Sequence, residues 1–186
     1  FRDNFSRFIR SGIPVAEELH IKMCIHPDDP PFPLLGLPRI ASTMDDFDWI
    51  FAQAPSFYNG LTFCMGSLGA RKANNLLLMV ERFAERVHFA HLRNLKHLDG
   101  GRFFESGHMD GDLDLVGIID RLLREQIRRR EKGRTDDSIP FRADHGKKIL
   151  DDFSRSSHPG YPLIGRLKGL SEINGIQQAL NYSLTS

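Results

Sequence analysis

Four short apolar runs alternate with helical stretches along this chain, and each closes on a residue able to bind a metal. Ile21-Lys22-Met23-Cys24-Ile25 runs into His26, Leu61-Thr62-Phe63 into Cys64, Val87-His88-Phe89-Ala90 into His91, and Ile139-Pro140-Phe141-Arg142-Ala143 into Asp144. Strands alternating with helices imply parallel pairing through right-handed crossovers. In such folds chemistry gathers at the C-terminal strand ends. An imidazole, a thiol, a second imidazole and a carboxylate in that one relative position predict a metal site at the top of a β/α barrel. Singly, each has an ordinary reading: a hydrogen-bonded histidine, a small buried thiol, a helix cap at Asp144. The shared position is what packing alone does not explain.

The intervening segments support the pattern. The sequence predicts a helix from Phe1 to about Leu19 with a kink at Pro14. Ser42 with Asp45 reads as a capping box opening a helix to about Ala54, and Asn59-Gly60 as a turn before the second strand. An amphipathic helix follows over 74–86, a long loop from about Arg93 to Gly111, and a helix over 112–132. Beyond the fourth strand, a helix near 147–153 precedes the turn Pro159-Gly160-Tyr161-Pro162 and a last helix to about Tyr182. Cys24, in mid-strand, reads as core. His88 receives no role, and His20, His97 and His158 read as surface or loop residues. Gly66-Ser67-Leu68-Gly69 is a weak anion-cradle signal, and its glycines serve equally to let backbone approach a ligand.

Composition excludes several classes of function. With 25 basic and 24 acidic residues the net charge is +1, too small for long-range attraction to nucleic acid or an anionic membrane. Arg128-Arg129-Arg130 reads as a solvated helical end beside Glu125 and Glu131. No apolar stretch approaches the roughly 20 residues needed to cross a bilayer. Two cysteines, Cys24 and Cys64, form no secreted-type framework, so a reducing, cytoplasmic setting is expected. A full barrel takes about 250 residues. The chain has 186 and begins with Phe1, so the expectation is half a barrel, with two open sheet edges.

Longer motifs carry a resemblance. His26-Pro27-Asp28-Asp29-Pro30-Pro31, Gly36-Leu37-Pro38-Arg39-Ile40, Gly60-Leu61-Thr62-Phe63-Cys64 with Gly66-Ser67, and His91-Leu92-Arg93-Asn94 occur in order. Arg142, Asp144-His145-Gly146, Pro159-Gly160-Tyr161 and Ile164-Gly165-Arg166-Leu167-Lys168-Gly169-Leu170 complete them. Together they resemble the mannonate dehydratases of hexuronate degradation. The resemblance implies a xylose-isomerase-like TIM barrel, of which this chain supplies the C-terminal half as one domain, residues 1–186. It implies loss of water from D-mannonate to give 2-dehydro-3-deoxy-D-gluconate. It also implies a divalent metal, usually manganese, with iron, zinc and magnesium as the other options. The implied ligands fall on His26, Cys64, His91 and Asp144, and the proton-transfer residues on His145 and Tyr161. Where Phe104 stands, the family pattern expects histidine, which opens the question of what the 103–108 segment does.

The chemistry fits these residues. Removing a proton beside a carboxylate builds negative charge that a Lewis acid stabilises. Expelling the neighbouring hydroxyl then needs a proton donor, and two groups of tunable pKa serve. Which of His145 and Tyr161 is base and which is acid stays open at this level. Arg93, Arg142 and Arg166 are candidates for holding the substrate carboxylate through a bidentate fork, or are surface ion pairs. The expected partner is therefore a small sugar acid, with no nucleic acid and no membrane, bound by a homo-oligomer. The alternatives are a sugar isomerase of the same barrel class, a metal-dependent phosphodiesterase acting on damaged DNA, and a non-catalytic metal-stabilised half-barrel. The phosphodiesterase calls for three metals and a basic face, which a net charge of +1 opposes.

Overall fold

The computed structural model describes residues 1–185. Helix α1 (Arg2–Glu18) leads into strand β1 (Met23–Ile25), helix α2 (Met44–Gln53) and strand β2 (Asn59–Cys64). A single helical turn, α3 (Met65–Gly69), and helix α4 (Leu76–Phe83) precede β3 (Val87–His91). A hairpin of β4 (Leu95–His97) and β5 (Phe103–Glu105), helix α5 (Leu115–Glu131), β6 (Phe141–Arg142) and helix α6 (Leu163–Thr185) complete the order.

Strands β1-β2-β3-β6 form one parallel sheet in sequence order. The fold is therefore α/β with parallel strands and helical crossovers, as the alternation predicts. One face of the sheet is covered by helices. Leu61, Phe63, Val87 and Ala90 point into that layer and pack with Phe47, Ile50, Met79, Phe83 and Ile118. Apart from the small Ala90, each of these side chains contributes about 1.5–3 kcal/mol on burial, so this layer is the main source of stability. Both edge strands, β1 and β6, lack an outer neighbour among the described residues. None of the described helices is long and apolar enough to cross a membrane.

Several local expectations are corrected. Helix α1 runs through Pro14 without a break. The cap of α2 is Thr43 with Asp46, one residue later than Ser42 with Asp45: the Asp46 carboxylate accepts from both the Ser42 and Thr43 backbone N–H groups. Asn59-Gly60 begins β2 instead of forming a turn, paired with Met23 and Cys24, and the ring of His88 packs where a Cβ on Gly60 would stand. Cys24 is exposed, not core. It lies on the edge strand β1, on the sheet face that the helices do not cover. The segment near 147–153 is reduced to a 3-10 turn at Leu150–Phe153. His97 is half-buried, with Nε2 on the Gly69 carbonyl at 2.9 Å.

Two larger departures matter more. The loop expected over 93–111 holds the β4–β5 hairpin, closed by Gly100 and Gly101 at φ of 71° and 75°, a region that glycine enters without strain. And Arg129 is not solvated. Its side chain is buried, with Nε on Glu125 at 2.9 Å and Nη2 on the Ala84 and Val87 carbonyls at 2.8 and 2.9 Å.

Candidate active site

Sheet register brings the strand-end residues together. Cys64 on β2 stands opposite His91 on β3, and His91 opposite Arg142 on β6, two residues before Asp144. Ile25 pairs with Leu61, so His26 follows one residue along on the same rim. Ligating atoms of His26, Cys64 and His91 all lie within 4.8 Å of one another. His26 Nε2 is 3.2 Å from His91 Nδ1, Asp144 Oδ2 is 3.6 Å from His91 Nδ1, and Cys64 Sγ is 3.9 Å from Asp144 Oδ2. Donors bound to one ion at about 2.0–2.3 Å stand roughly 3.2–3.8 Å apart, so these spacings suit a shared cation. The donor set suits one too. His26 Nδ1 makes a 2.7 Å hydrogen bond to the Pro27 carbonyl, which leaves Nε2 free to ligate.

Electrostatics favours an ionised Asp144. Burial alone pushes its carboxyl up, but His91, His145 and Arg142 outweigh burial and hold it below the usual carboxylate range. The Arg142 guanidinium is hydrogen-bonded to Asp144 Oδ1. On β2, Cys64 is fully buried, and the Ser67 hydroxyl one turn later lies 3.0 Å from its sulfur.

The two expected proton-transfer residues meet. His145 Nε2 lies 3.1 Å from the Tyr161 hydroxyl, and the rings stand 4.7 Å apart, edge to face. The three arginines divide. Arg93 is 2% exposed, bound to Asp29 at 2.8 Å, and its Nη1 reaches both ring nitrogens of His145. Its guanidinium is an interior brace behind the site, not an open fork. Gly66 leaves room for it: a Cβ there would lie 1.9 Å from Arg93 Nε. Burial works against the Arg93 charge, but its neighbours Cys64, Glu105 and Asp29 outweigh burial and raise its pKa. Arg166 donates through Nε to the Asp144 carbonyl at 2.8 Å, and its guanidinium lies over the Tyr161 ring. Arg142, exposed at the rim, is the one best situated to meet a ligand.

Three participants escaped the sequence reading: Asp29, which holds Arg93 and, at 3.1 Å, Ser67; Ser67 itself; and Glu105, whose Oε1 lies 2.7 Å from His145 Nδ1. Asp29 and Ser67 sit inside quoted motifs, but their roles are contacts across the fold that spacing cannot report. Glu105 adjoins Phe104, the position that departs from the family pattern. Phe104 points away from the site and is 42% exposed.

Comparison with known proteins accords with this geometry. The family model for D-mannonate dehydratase (UxuA) matches residues 1–185. The chain belongs to the D-mannonate dehydratase family. It is 54% identical over 180 residues to the mannonate dehydratase of Chromohalobacter salexigens, covering 96% of this chain and 46% of that protein. Against mannonate dehydratase 1 of Agrobacterium fabrum it is 50% identical over 184 residues, covering 97% of this chain and 46% of that one. The crystal structure of mannonate dehydratase from Streptococcus suis serotype 2 superposes with a TM-score of 0.87 at 32% identity, over 99% of this chain and 50% of that one. The chain thus spans about half the length of the D-mannonate dehydratases it matches.

Proposed function

We propose that the complete protein removes water from D-mannonate to give 2-dehydro-3-deoxy-D-gluconate in hexuronate catabolism. The observation that carries the reading is the convergence of the His26, Cys64 and His91 donors beside Asp144, with His145 and Tyr161 in contact next to them. A divalent ion held by His26, Cys64, His91 and Asp144 would supply Lewis acidity at the carboxylate end of the sugar acid. The sulfur donor favours zinc, while one thiolate among nitrogen and oxygen donors also suits manganese, and the family resemblance tips the choice to manganese. Arg142 draws the substrate carboxylate toward the rim. Arg93, fixed by Asp29, keeps positive charge behind the site. His145 and Tyr161 exchange protons with the carbon beside the carboxylate and with the departing hydroxyl.

The chain supplies about four strand–helix units of an eight-stranded barrel. Unpaired edges at β1 and β6 support a partial barrel, as do Leu163 and Leu167, exposed on α6 next to β6. We further propose a cytoplasmic homo-oligomer. Free Cys24 and Cys64 favour a reducing compartment.

The test is an assay of the complete protein on D-mannonate and on aldoses, following the 2-keto acid product. Tyr161→Phe keeps the ring and deletes the hydroxyl, and kcat should fall by about 10²–10⁴-fold with metal content unchanged. Aldose–ketose interconversion without mannonate dehydration would replace this reading with a sugar isomerase. A Tyr161→Phe protein as fast as the parent would remove Tyr161 from the chemistry.

A further inference from the structure

We propose that His158 is a specificity residue whose Nε2 hydrogen-bonds the terminal hydroxyl of the sugar acid, the end away from the metal-binding rim. The inference deepens the dehydratase reading and rests on it for the identity of the ligand. It begins with a turn. The Tyr161 N–H closes on the His158 carbonyl at 3.0 Å, with Pro159 and Gly160 between them and Gly160 at a φ of 83°. Proline second and a left-handed glycine third make a type II turn. The turn is tied to the site. The Gly146 N–H donates to the Gly160 carbonyl at 3.0 Å, and a Cβ on Gly160 would lie 3.3 Å from His145 Nδ1. Residues 158 and 161 are thereby held in fixed relation to His145.

Tyr161 packs against two imidazoles. Its ring lies 4.7 Å from that of His145 and 5.9 Å from that of His158, edge to face in both pairs. His145 is engaged by Arg93, Glu105 and Tyr161. His158 is exposed, with Nδ1 2.8 Å from the Pro159 carbonyl and no partner for Nε2 among the described residues. A carbonyl only accepts, so Nδ1 carries the hydrogen and Nε2 is left to face outward. His26-Pro27 uses the same local device: Nδ1 on the following proline carbonyl, at 2.7 Å, leaves Nε2 free at the rim. Two His-Pro pairs thus present Nε2, one among the metal-ligating atoms and one beside Tyr161. The turn itself does not require this. A type II turn asks for no imidazole at its first position.

The class of ligand follows from the order of contacts. His145 Nε2 is 4.0 Å from Asp144 Oδ2, Tyr161 touches His145, and His158 touches Tyr161. A sugar acid with its carboxylate at the rim and its reacting carbons at His145 and Tyr161 runs its tail toward His158. The polar groups on that tail are hydroxyls. A hydroxyl both donates and accepts, so the contact holds with or without a proton on Nε2.

The experiment is steady-state kinetics of the complete protein, loaded with Mn²⁺, on D-mannonate and on 6-deoxy-D-mannonate, which lacks the terminal hydroxyl. His158→Phe keeps a ring beside Tyr161 and deletes the hydrogen bond. On D-mannonate it should raise KM about 3–10-fold, as loss of one neutral hydrogen bond does, with kcat nearly unchanged. On 6-deoxy-D-mannonate, parent and variant should share one KM. A fall in kcat at constant KM would make His158 a prop for Tyr161 and overturn the proposal. So would an equal rise in KM on both substrates, or no rise on either. Titration calorimetry with D-mannonate on the Tyr161→Phe protein, with and without His158→Phe, reads the same contact without turnover. The double variant should bind about 3–10-fold more weakly, and equal binding overturns the proposal. Binding of D-mannonate by a parent that does not dehydrate it removes the dehydratase reading, and the calorimetric comparison still decides the role of His158. A parent that does not bind D-mannonate removes both.

Discussion

The two ends of the parallel sheet both bury charge, in opposite arrangements. At the N-terminal end, Arg129 spends its donors on fixed acceptors: Glu125 Oε1, the Asp136 carbonyl, and the carbonyls of Ala84 and Val87. Asp136 is in turn held by Arg134 at 2.8 Å and Lys22 at 3.2 Å. Burial opposes its ionisation, but those two cations outweigh burial and keep its carboxyl below the usual range. Donors match acceptors there, and the network ties α5 to β3 and to the entry of β1. At the C-terminal end the polar atoms gather differently. His26, Cys64 and His91 bring ligating atoms within 4.8 Å of one another beside Asp144, and the His26 Nδ1 hydrogen bond to the Pro27 carbonyl leaves Nε2 facing them. A network closed on ion pairs and backbone carbonyls is a clamp; metal-ligating atoms gathered at strand ends are a place that a cation can occupy.

The comparison breaks first at the rim if it is wrong. His91 touches His26 and Asp144 and pairs with Cys64, so His91→Ala removes the centre of the donor set. The complete protein should lose stoichiometric metal by mass spectrometry. Its activity should fall by more than the roughly 10²–10⁴-fold of a lost proton-transfer group. Full metal content in this variant would make the rim another hydrogen-bonded cluster.

The clamp predicts the reverse pattern. Arg129→Met fills similar space but leaves Glu125 buried beside fewer cations, and unfolding in denaturant should show a loss of about 3–5 kcal/mol. Metal content per folded molecule should not change. Adding Glu125→Leu should recover much of the loss, because the stranded charge, not the missing contact, carries most of the cost. A single variant of parent stability would mean that the network is decoration.

Legibility follows the same division. The crossover pattern and the rim were readable, because strand ends carry their chemistry in sequence order: β3 spans 87–91 as periodicity predicts, and register then aligns Cys64 with His91. The clamp was not readable. A helical wheel spreads Arg128, Arg129 and Arg130 around α5, and only the tertiary fold says that Arg129 turns inward. The cap of α2 slipped by one because Ser42 and Thr43 can both cap and are followed at three residues by an aspartate each. The β4–β5 strands, three residues apiece, are too short for alternation to register, although Asp99-Gly100-Gly101 was a turn signal. Glu105 was invisible for that reason, since its partner His145 lies 40 residues away. Cys24 was misjudged because a strand pattern does not say which face of a sheet is covered.

The smallest effect separates the two ends by acid. His88 sits on β3 near the clamp, with Nε2 on the Phe57 carbonyl at 2.9 Å. Burial drives its pKa down to about 4, against the pull of that carbonyl. Below the unfolded value of about 6.5 the unfolded chain takes up a proton that the folded chain refuses. Stability therefore falls as pH drops from about 6.5 to about 4, by on the order of 2–3 kcal/mol, and this contribution levels off below. Asp136 and Asp144, whose values are depressed, lose their stabilisation only below the ordinary carboxylate range, so the window belongs to His88 together with buried His108, whose pKa burial also lowers. His88→Gln keeps a donor for Phe57 and removes the titration, and the pH slope of unfolding between 6.5 and 4 should flatten. Metal release on acidification, which depends on protonating the rim ligands, should continue in the variant as in the parent. If one substitution abolished both, clamp and site would be a single coupled unit, and the contrast between the two ends of the sheet would not hold.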